Sequence, residues 1–332
     1  MDIKRLLKLV TSGCILILAT RAHALSYTAA NFTYPDPRGG NTEAYGINDN
    51  GVAAGWYSVH HVTEGYGFTY NADSFTTLSA PDSSGAYGGT FATAVNNNGA
   101  VVGHYHSTVL NKDIGFSFNG STYTPIDASS LNFNQATITN ASAVNDSGQI
   151  VGNYTDYATG TTHGFLYNGS YLSMVVAPGA TVTTANGINN SGLIVGSVFD
   201  SANHNHGFIF NGNTFSIFNA PNSTDTFFQS ISNNGQILGR YSDATGSHNF
   251  VLNNGVYESI DLSQLNASNI MLYGINNSGQ IVGTAYGGPA GSYGFVLTPV
   301  PIPAAAWLFG SGLIGLAGFR GRSKVSHRIT FD

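Results

Sequence analysis

A ten-residue phrase spelled six times constrains this chain more than any other feature. The copies read GINDNGVAAG from Gly46, AVNNNGAVVG from Ala94, AVNDSGQIVG from Ala143, GINNSGLIVG from Gly187, SISNNGQILG from Ser230 and GINNSGQIVG from Gly274. A reaction needs its catalytic motif once, so six copies point to a repeated supersecondary unit. Measured on the glycine after the asparagine pair (Gly51, Gly99, Gly148, Gly192, Gly235, Gly279), the steps are 48, 49, 44, 43 and 44 residues. That period suits a four-stranded propeller blade and exceeds one coil of a leucine-rich or hexapeptide solenoid.

Each unit reads as four strands. In the second, FATAV (91–95) predicts an inner strand, Asn97-Asn98-Gly99 a turn, AVVGHYHS a second strand, IGFSFNG a third and STYTPIDAS a fourth. Asn and Gly at the tips fit tight hairpins, where positive φ costs them little. The residue at the head of each phrase is small (Gly46, Ala94, Ala143, Gly187, Ser230, Gly274), as crowding around an axis requires. A third-strand phenylalanine recurs at Phe68, Phe116, Phe165, Phe208, Phe250 and Phe295 and is expected to fill the gap between neighbouring blades. The sixth unit stops without a fourth strand, and AANFTYPDP precedes the first, so an N-terminal strand is expected to complete the last blade and remove an open edge. The expected fold is therefore all-β: a six-bladed β-propeller of 44–49-residue repeats over residues 25–298, followed by a C-terminal transmembrane helix. An open β-solenoid or a pair of sandwiches is the alternative.

Composition agrees with an all-β core. Charged residues are only 8% of the chain, but apolar residues at 42% and aromatics at 12% exclude disorder. The single cysteine, Cys14, lies in the N-terminal apolar segment, so no disulfide is expected in the mature chain. Between residues 25 and 299, three basic residues (Arg38, Lys112, Arg240) face fifteen acidic ones, a net of −12. Nucleic acid is excluded as a partner, because phosphate binding needs clustered Lys and Arg.

Both ends differ from the middle. Residues 1–24 carry Lys4, Arg5 and Lys8, an apolar stretch and an A-x-A site at Ala22 and Ala24, which reads as a signal peptide. Residues 299–324 hold an uncharged run with Trp307, Leu308, Phe309, Leu313, Ile314, Leu316 and Phe319, then Arg320 and Arg322. Twenty apolar residues suffice to cross a bilayer, and the basic flank keeps residues 325–332 cytoplasmic.

With its short proline motif Val300-Pro301-Ile302-Pro303, apolar helix and basic end, this tail resembles the PEP-CTERM sorting signals, most closely their V-P-L-P-A variant. The resemblance implies an exosortase-like membrane protease as partner. It also implies an inner-membrane-anchored intermediate with its ectodomain in the periplasm, and final display at the surface or in the matrix of a Gram-negative, exopolysaccharide-producing bacterium. The repeats, with HGF at His163 and His206 and HNF at His248, resemble the HAF family of extracellular repeats. That implies a secreted repeat protein and brings no reaction.

Chemistry is sparse. His104-x-His106 and His204-x-His206 are zinc-like pairs that lack further ligands, so no metal or other cofactor is expected. Asp49 and Asp146 read as turn residues rather than calcium ligands. Hydrolysis would need facing carboxylates, for which Asp127, Glu258 and Asp261 are the candidates if they meet at the axis. The longer inter-blade connections bring Tyr87, Phe91 and Phe133 into a candidate ligand loop that could stack on sugars. The expected function is a non-enzymatic surface or matrix protein interacting with exopolysaccharide or partner proteins. The alternatives are a polysharide-active hydrolase or lyase and a purely structural matrix component.

Overall fold

The computed structural model describes residues 25–36, 39–59, 65–83, 89–131, 136–156, 159–265, 267, 269–288 and 291–300. Strand β1 (Tyr27–Phe32) precedes the repeats. The first repeat holds β2 (Gly40–Ile47), β3 (Ala53–Val59), β4 (Gly65–Asn71) and β5 (Ser74–Leu78). The second holds β6 (Thr90–Val95), β7 (Val101–Ser107), β8 (Lys112–Phe118) and β9 (Tyr123–Ile126). The third holds β10 (Ala136–Val144), β11 (Ile150–Asp156), β12 (Thr161–Tyr167) and β13 (Leu172–Val175). The fourth holds β14 (Val182–Ile188), β15 (Ile194–Phe199), β16 (Asn205–Phe210) and β17 (Phe215–Phe218). The fifth holds β18 (Asp225–Ile231), β19 (Ile237–Asp243), β20 (Gly246–Asn253) and β21 (Val256–Ser259). The last holds β22 (Asn269–Ile275), β23 (Ile281–Gly288) and β24 (Gly291–Pro299).

The arrangement is all-β and propeller-like. Each repeat is an antiparallel meander, and inner strands follow one another from β2 through β6, β10, β14 and β18 to β22, which packs back against β2. Strand β1 pairs with β24 over six residues, from Tyr27↔Pro299 to Phe32↔Gly294, and supplies the outer strand of the last meander. The division into sheets departs from expectation. Four sheets are separate and four-stranded, but β6–β13 form one eight-stranded sheet. The cause is the length of β10: its nine residues start early enough for Ile138 to pair, in parallel, with Asp113 of β8.

The phrase's last glycine has a packing role. Across the second and third strands, Gly55 faces Phe68, Gly103 Phe116, Gly152 Phe165, Gly196 Phe208, Gly239 Phe250 and Gly283 Phe295. A Cβ on Gly55, Gly152 or Gly283 would lie 2.7 Å from the facing ring, so the ring occupies the space that glycine leaves. These six rings are at most 1% exposed, and each contributes roughly 1.5–3 kcal/mol by burial. The core is divided among the contacts between successive meanders. One cluster joins Val282 and Phe32 of the last sheet to Ala44, Tyr57 and Phe68 of the first.

Candidate functional site

The inner strands carry a β-bulge at one repeated position. The register shifts fall between Ala44/Gly46, Ala92/Ala94, Ala141/Ala143, Ala185/Gly187, Phe228/Ser230 and Leu272/Gly274. The skipped residues are Tyr45, Thr93, Ser142, Asn186, Gln229 and Tyr273. A bulge frees a side chain from the ladder and re-aims it. All six line a central cavity of about 100 Å³. The small residue that follows allows the close approach: a Cβ on Gly46 would sit 2.7 Å from Ala94 Cα of the next strand.

At one end of the cavity lie the Asn-rich turns. Asn48 Oδ1 accepts from the Asn50 and Val52 N–H groups (3.0 and 2.9 Å), and Gly51 takes the positive φ of +76°. Here the asparagine serves as an acceptor rather than, as expected, a positive-φ residue. Its amide also reaches sideways. Asn48 Nδ2 donates to Asn96 O (3.0 Å), Asn96 to Asn145 O (2.9 Å), Asn145 to Asn189 O (3.1 Å) and Asn276 to Asn48 O (3.0 Å). A second course runs through the next residue: the Asp49 N–H donates to Asn97 Oδ1 (2.8 Å), and the Asn277 N–H donates to Asp49 Oδ1 (2.8 Å). Asp146 belongs to this course. Burial pushes its carboxyl up, but hydrogen bonds from Asn190 and Asn97 outweigh that and hold it below its usual range. The fifth repeat slips. Ser232 replaces the asparagine, and the Asn234 N–H donates to Asn277 Oδ1 (3.1 Å) instead. Asp49 and Asp146 are thus turn and ring residues with filled oxygens.

The other end is lopsided. On the arc from the fifth repeat through the last to the second, large rings and charges gather. Tyr45 and Tyr286 hydroxyls both donate to Glu43 Oε2 (2.7 and 2.9 Å), and Trp56 Nε1–H donates to Tyr45 Oη (2.9 Å). The Tyr273 and Tyr286 hydroxyls are 3.2 Å apart, and the Tyr45 and Tyr273 rings meet edge to face at 4.8 Å. Phe91 leans on Trp56 (5.1 Å) and stacks flat on His104 (4.8 Å, 7°). Arg240 lies over the Phe227 ring, with Cζ 4.3 Å from the centroid. Burial, then the Glu43 charge, raises the Tyr45 hydroxyl well above the ordinary phenol range; burial, then Tyr273, does the same for Tyr286. Burial pushes the His104 imidazole down to about 4. The opposite arc presents small polar groups at the corresponding positions, Asn140, Asn153, Ser142, Thr184 and Ser197. Buried Asn140 Oδ1, Ser197 Oγ, His104 Nδ1 and Arg240 Nε have no hydrogen-bond partner. An unfilled buried donor or acceptor is costly, and these four are each enclosed among the strands rather than open to the cavity, whose lining from this end is Tyr45 and Tyr273.

Of the residues singled out from sequence, Phe91 stands in this cluster on β6. Tyr87 and Phe133 lie outside the described residues, as do Ala22, Ala24, Pro301, Ile302, Pro303 and the apolar and basic residues from Trp307 to Arg322. Val300 is 44% exposed, and its N–H donates to Ser26 O at 2.9 Å. No helix among the described residues is long and apolar enough to cross a membrane. The three carboxylates considered for the axis are not there. Glu258 sits on the outer strand β21, Asp261 follows it, and Asp127, just beyond outer strand β9, takes Lys112 Nζ at 2.7 Å. Outer strands are the far side of each meander, so these groups cannot converge. The histidine pairs separate too: His106 Nδ1 binds Asp113 (2.9 Å), His206 Nε2 binds Asp200 (3.0 Å), and no three described His, Cys, Asp or Glu residues form a metal-holding group.

No family model and no curated protein matches this chain. Solved structures do. A mutant of AofleA from Arthrobotrys oligospora is similar at 10% identity and a TM-score of 0.50, over 83% of this chain and 91% of that one. A Trypanosoma rangeli sialidase in complex with 2,3-difluorosialic acid has the same identity and TM-score, over 82% of this chain and 59% of the sialidase, so this chain spans about three fifths of that enzyme. An Aleuria aurantia lectin mutant in complex with Fucα1-6GlcNAc follows at 11% identity and a TM-score of 0.46, over 80% and 97%. At 10% identity, what this chain shares with AofleA and the sialidase is a fold, the propeller-like ring of small antiparallel sheets.

Proposed function

We propose that this protein is a non-enzymatic, exported six-bladed propeller that binds exopolysaccharide at the aromatic end of its channel. The observation that carries the reading is the cluster of Trp56, Phe91, Tyr45, Tyr273 and Tyr286 around the Glu43 carboxylate, with Tyr45 and Tyr273 lining the central cavity. Aromatic faces and hydrogen-bonding groups together are what a sugar's apolar and hydroxyl faces require. A Trypanosoma rangeli sialidase of like fold holds a sugar derivative, which is in keeping with a carbohydrate partner. The repeats' resemblance to HAF proteins, the leader ending at Ala24 and the Val300–Pro303 tail support export. In this reading an exosortase-type protease releases a membrane-anchored intermediate to the cell surface or matrix.

The second reading, a polysaccharide hydrolase or lyase, has Glu43 in its favour, a carboxylate on inner strand β2. Against it, the two tyrosines that Glu43 accepts from are held further from ionisation than free phenols, which suits donors and stacking platforms better than nucleophiles. The deciding experiment is a glycan array on the purified protein, with reducing-sugar release followed in parallel. Saturable binding without release, lost in Trp56→Ala, is expected. Release that disappears in Glu43→Gln would make the protein an enzyme, and silence in both assays would leave a structural matrix role.

A further inference from the structure

Arg240, the cation of this cluster, has no ion-pair partner among the described residues. Among the described residues only Lys112 and Arg240 carry a permanent positive charge, and Lys112 is taken by Asp127 and Ser129 (2.7 and 2.8 Å). Arg240 makes no ion pair or side-chain hydrogen bond among those residues, and its Nε is buried without a partner. One face of the guanidinium rests on Phe227, which leaves the edge donors unspent. In a chain with fifteen acidic residues and three basic ones between 25 and 299, a pairing carboxylate was not scarce. The carboxylate of this cluster, Glu43, is instead occupied by two tyrosine hydroxyls. Tyr273, on the meander between them, lies within electrostatic reach of both charges.

We propose that Arg240 makes the mouth selective for carboxylated sugars, pairing its edge with a uronate carboxylate while Tyr273, Tyr45 and Trp56 receive the ring. This deepens, and rests on, the reading of the mouth as a glycan site. A planar guanidinium edge matches a carboxylate through two parallel hydrogen bonds, and one unpaired cation balances one singly charged group. A phosphate, doubly charged, would want more than the single cation present. Phenol donors on Glu43 disperse the one negative charge that would otherwise oppose an acidic ligand.

The test uses the full chain, with oligogalacturonate, its carboxyl-reduced counterpart and a sulfated galactan oligosaccharide as calorimetric probes. Oligogalacturonate is expected to bind about tenfold or more tighter than the reduced form, as a charge-assisted bidentate pair implies. Arg240→Gln should abolish that preference, and Arg240→Lys should retain only part of it. Circular dichroism and the urea midpoint confirm that each variant is folded. Equal affinity for acidic and reduced probes, a preference untouched by Arg240→Gln, or tighter binding of the sulfated probe would overturn the carboxylate assignment and leave the glycan reading standing. Binding of none of the three, together with an empty glycan array, would overturn both.

Discussion

Replacing Asn276 with alanine removes four hydrogen bonds at the seam where the last repeat meets the first. Nδ2 donates to Asn48 O at 3.0 Å and to Gln280 Oε1 at 2.8 Å, while Oδ1 accepts from the Ser278 and Gln280 N–H groups at 3.1 and 2.9 Å. Each bond is worth about 1 kcal/mol net, and a buried partner left orphaned costs more, so Asn276→Ala should destabilise by roughly 3–5 kcal/mol. The fifth repeat supplies the control. Ser232 occupies the same position, and its Oγ accepts from the Gln236 N–H (3.1 Å) but, among the described residues, bonds only within its own turn. Asn276→Ser should therefore recover about 1 kcal/mol of the loss, and Ser232→Asn in an otherwise unchanged chain should add a similar amount. Urea unfolding followed by tryptophan fluorescence reads all three. If alanine costs less than about 1 kcal/mol, or serine is no better than alanine, the side chain does not hold the ring and the reasoning fails.

Four other outcomes are expected. Gly196→Ala puts a Cβ 2.9 Å from the Phe208 ring and closer still to the Thr184 carbonyl, so the melting midpoint should fall by an overpacking cost of at least about 1–3 kcal/mol; an unchanged midpoint refutes the glycine–phenylalanine pairing. Phe32→Ala removes a ring 6% exposed that stacks on Tyr70 at 4.2 Å, and should cost about 3 kcal/mol in the same assay if β1 secures the last meander to the first. His104 protonates near pH 4 when folded but near 6.5 when unfolded, so the unfolded chain binds more protons in between. Its contribution to stability is full above about pH 6.5 and is lost as pH falls toward 4; His104→Phe should flatten that slope, and an NMR titration of its ring at 6.5 would contradict it. Finally, Pro303→Ala should leave a membrane-bound precursor on immunoblots of fractionated cells, whereas normal release would remove the sorting reading.

The repeat, its four strands and the N-terminal strand that joins the last sheet were legible because Asn-Gly tips, small residues and Gly-Phe pairs each have a local physical cause. The split of sheets was not, since the early start of β10 depends on one long-range pair, Ile138↔Asp113. The site was read less well. Phe91 was read both as the head of the FATAV inner strand and as part of a ligand loop; it lies on inner strand β6 beside Trp56. Tyr45 and Tyr273 were missed because a bulge has no residue signature of its own, and Glu43, Tyr286 and Arg240 because each stands at its ladder position in one repeat only. The available signal was the bulged position: Tyr45 and Tyr273 occupy it in the first and last repeats, which the ring makes neighbours, and four smaller polar residues occupy it elsewhere. The carboxylates considered for the axis proved to lie on or just beyond outer strands, whereas Glu43, on the inner strand of the first repeat, stands in that repeat alone and so left no recurring signal.

The six bulges separate two tasks that usually share residues. The ladder partners on either side, such as Ala44 and Gly46, carry the strand pairing and the close backbone approach, while the skipped residue stands outside the ladder and makes its contacts through its side chain, as Thr93 does to Ala141 O and Asn186 to Phe228 O. Tyr, Thr, Ser, Asn, Gln and Tyr are all tolerated there in one molecule. The channel is therefore a six-letter field on a fixed frame: one letter can be exchanged without resetting register, and a library varied at positions 45, 93, 142, 186, 229 and 273 should yield folded proteins with different ligands.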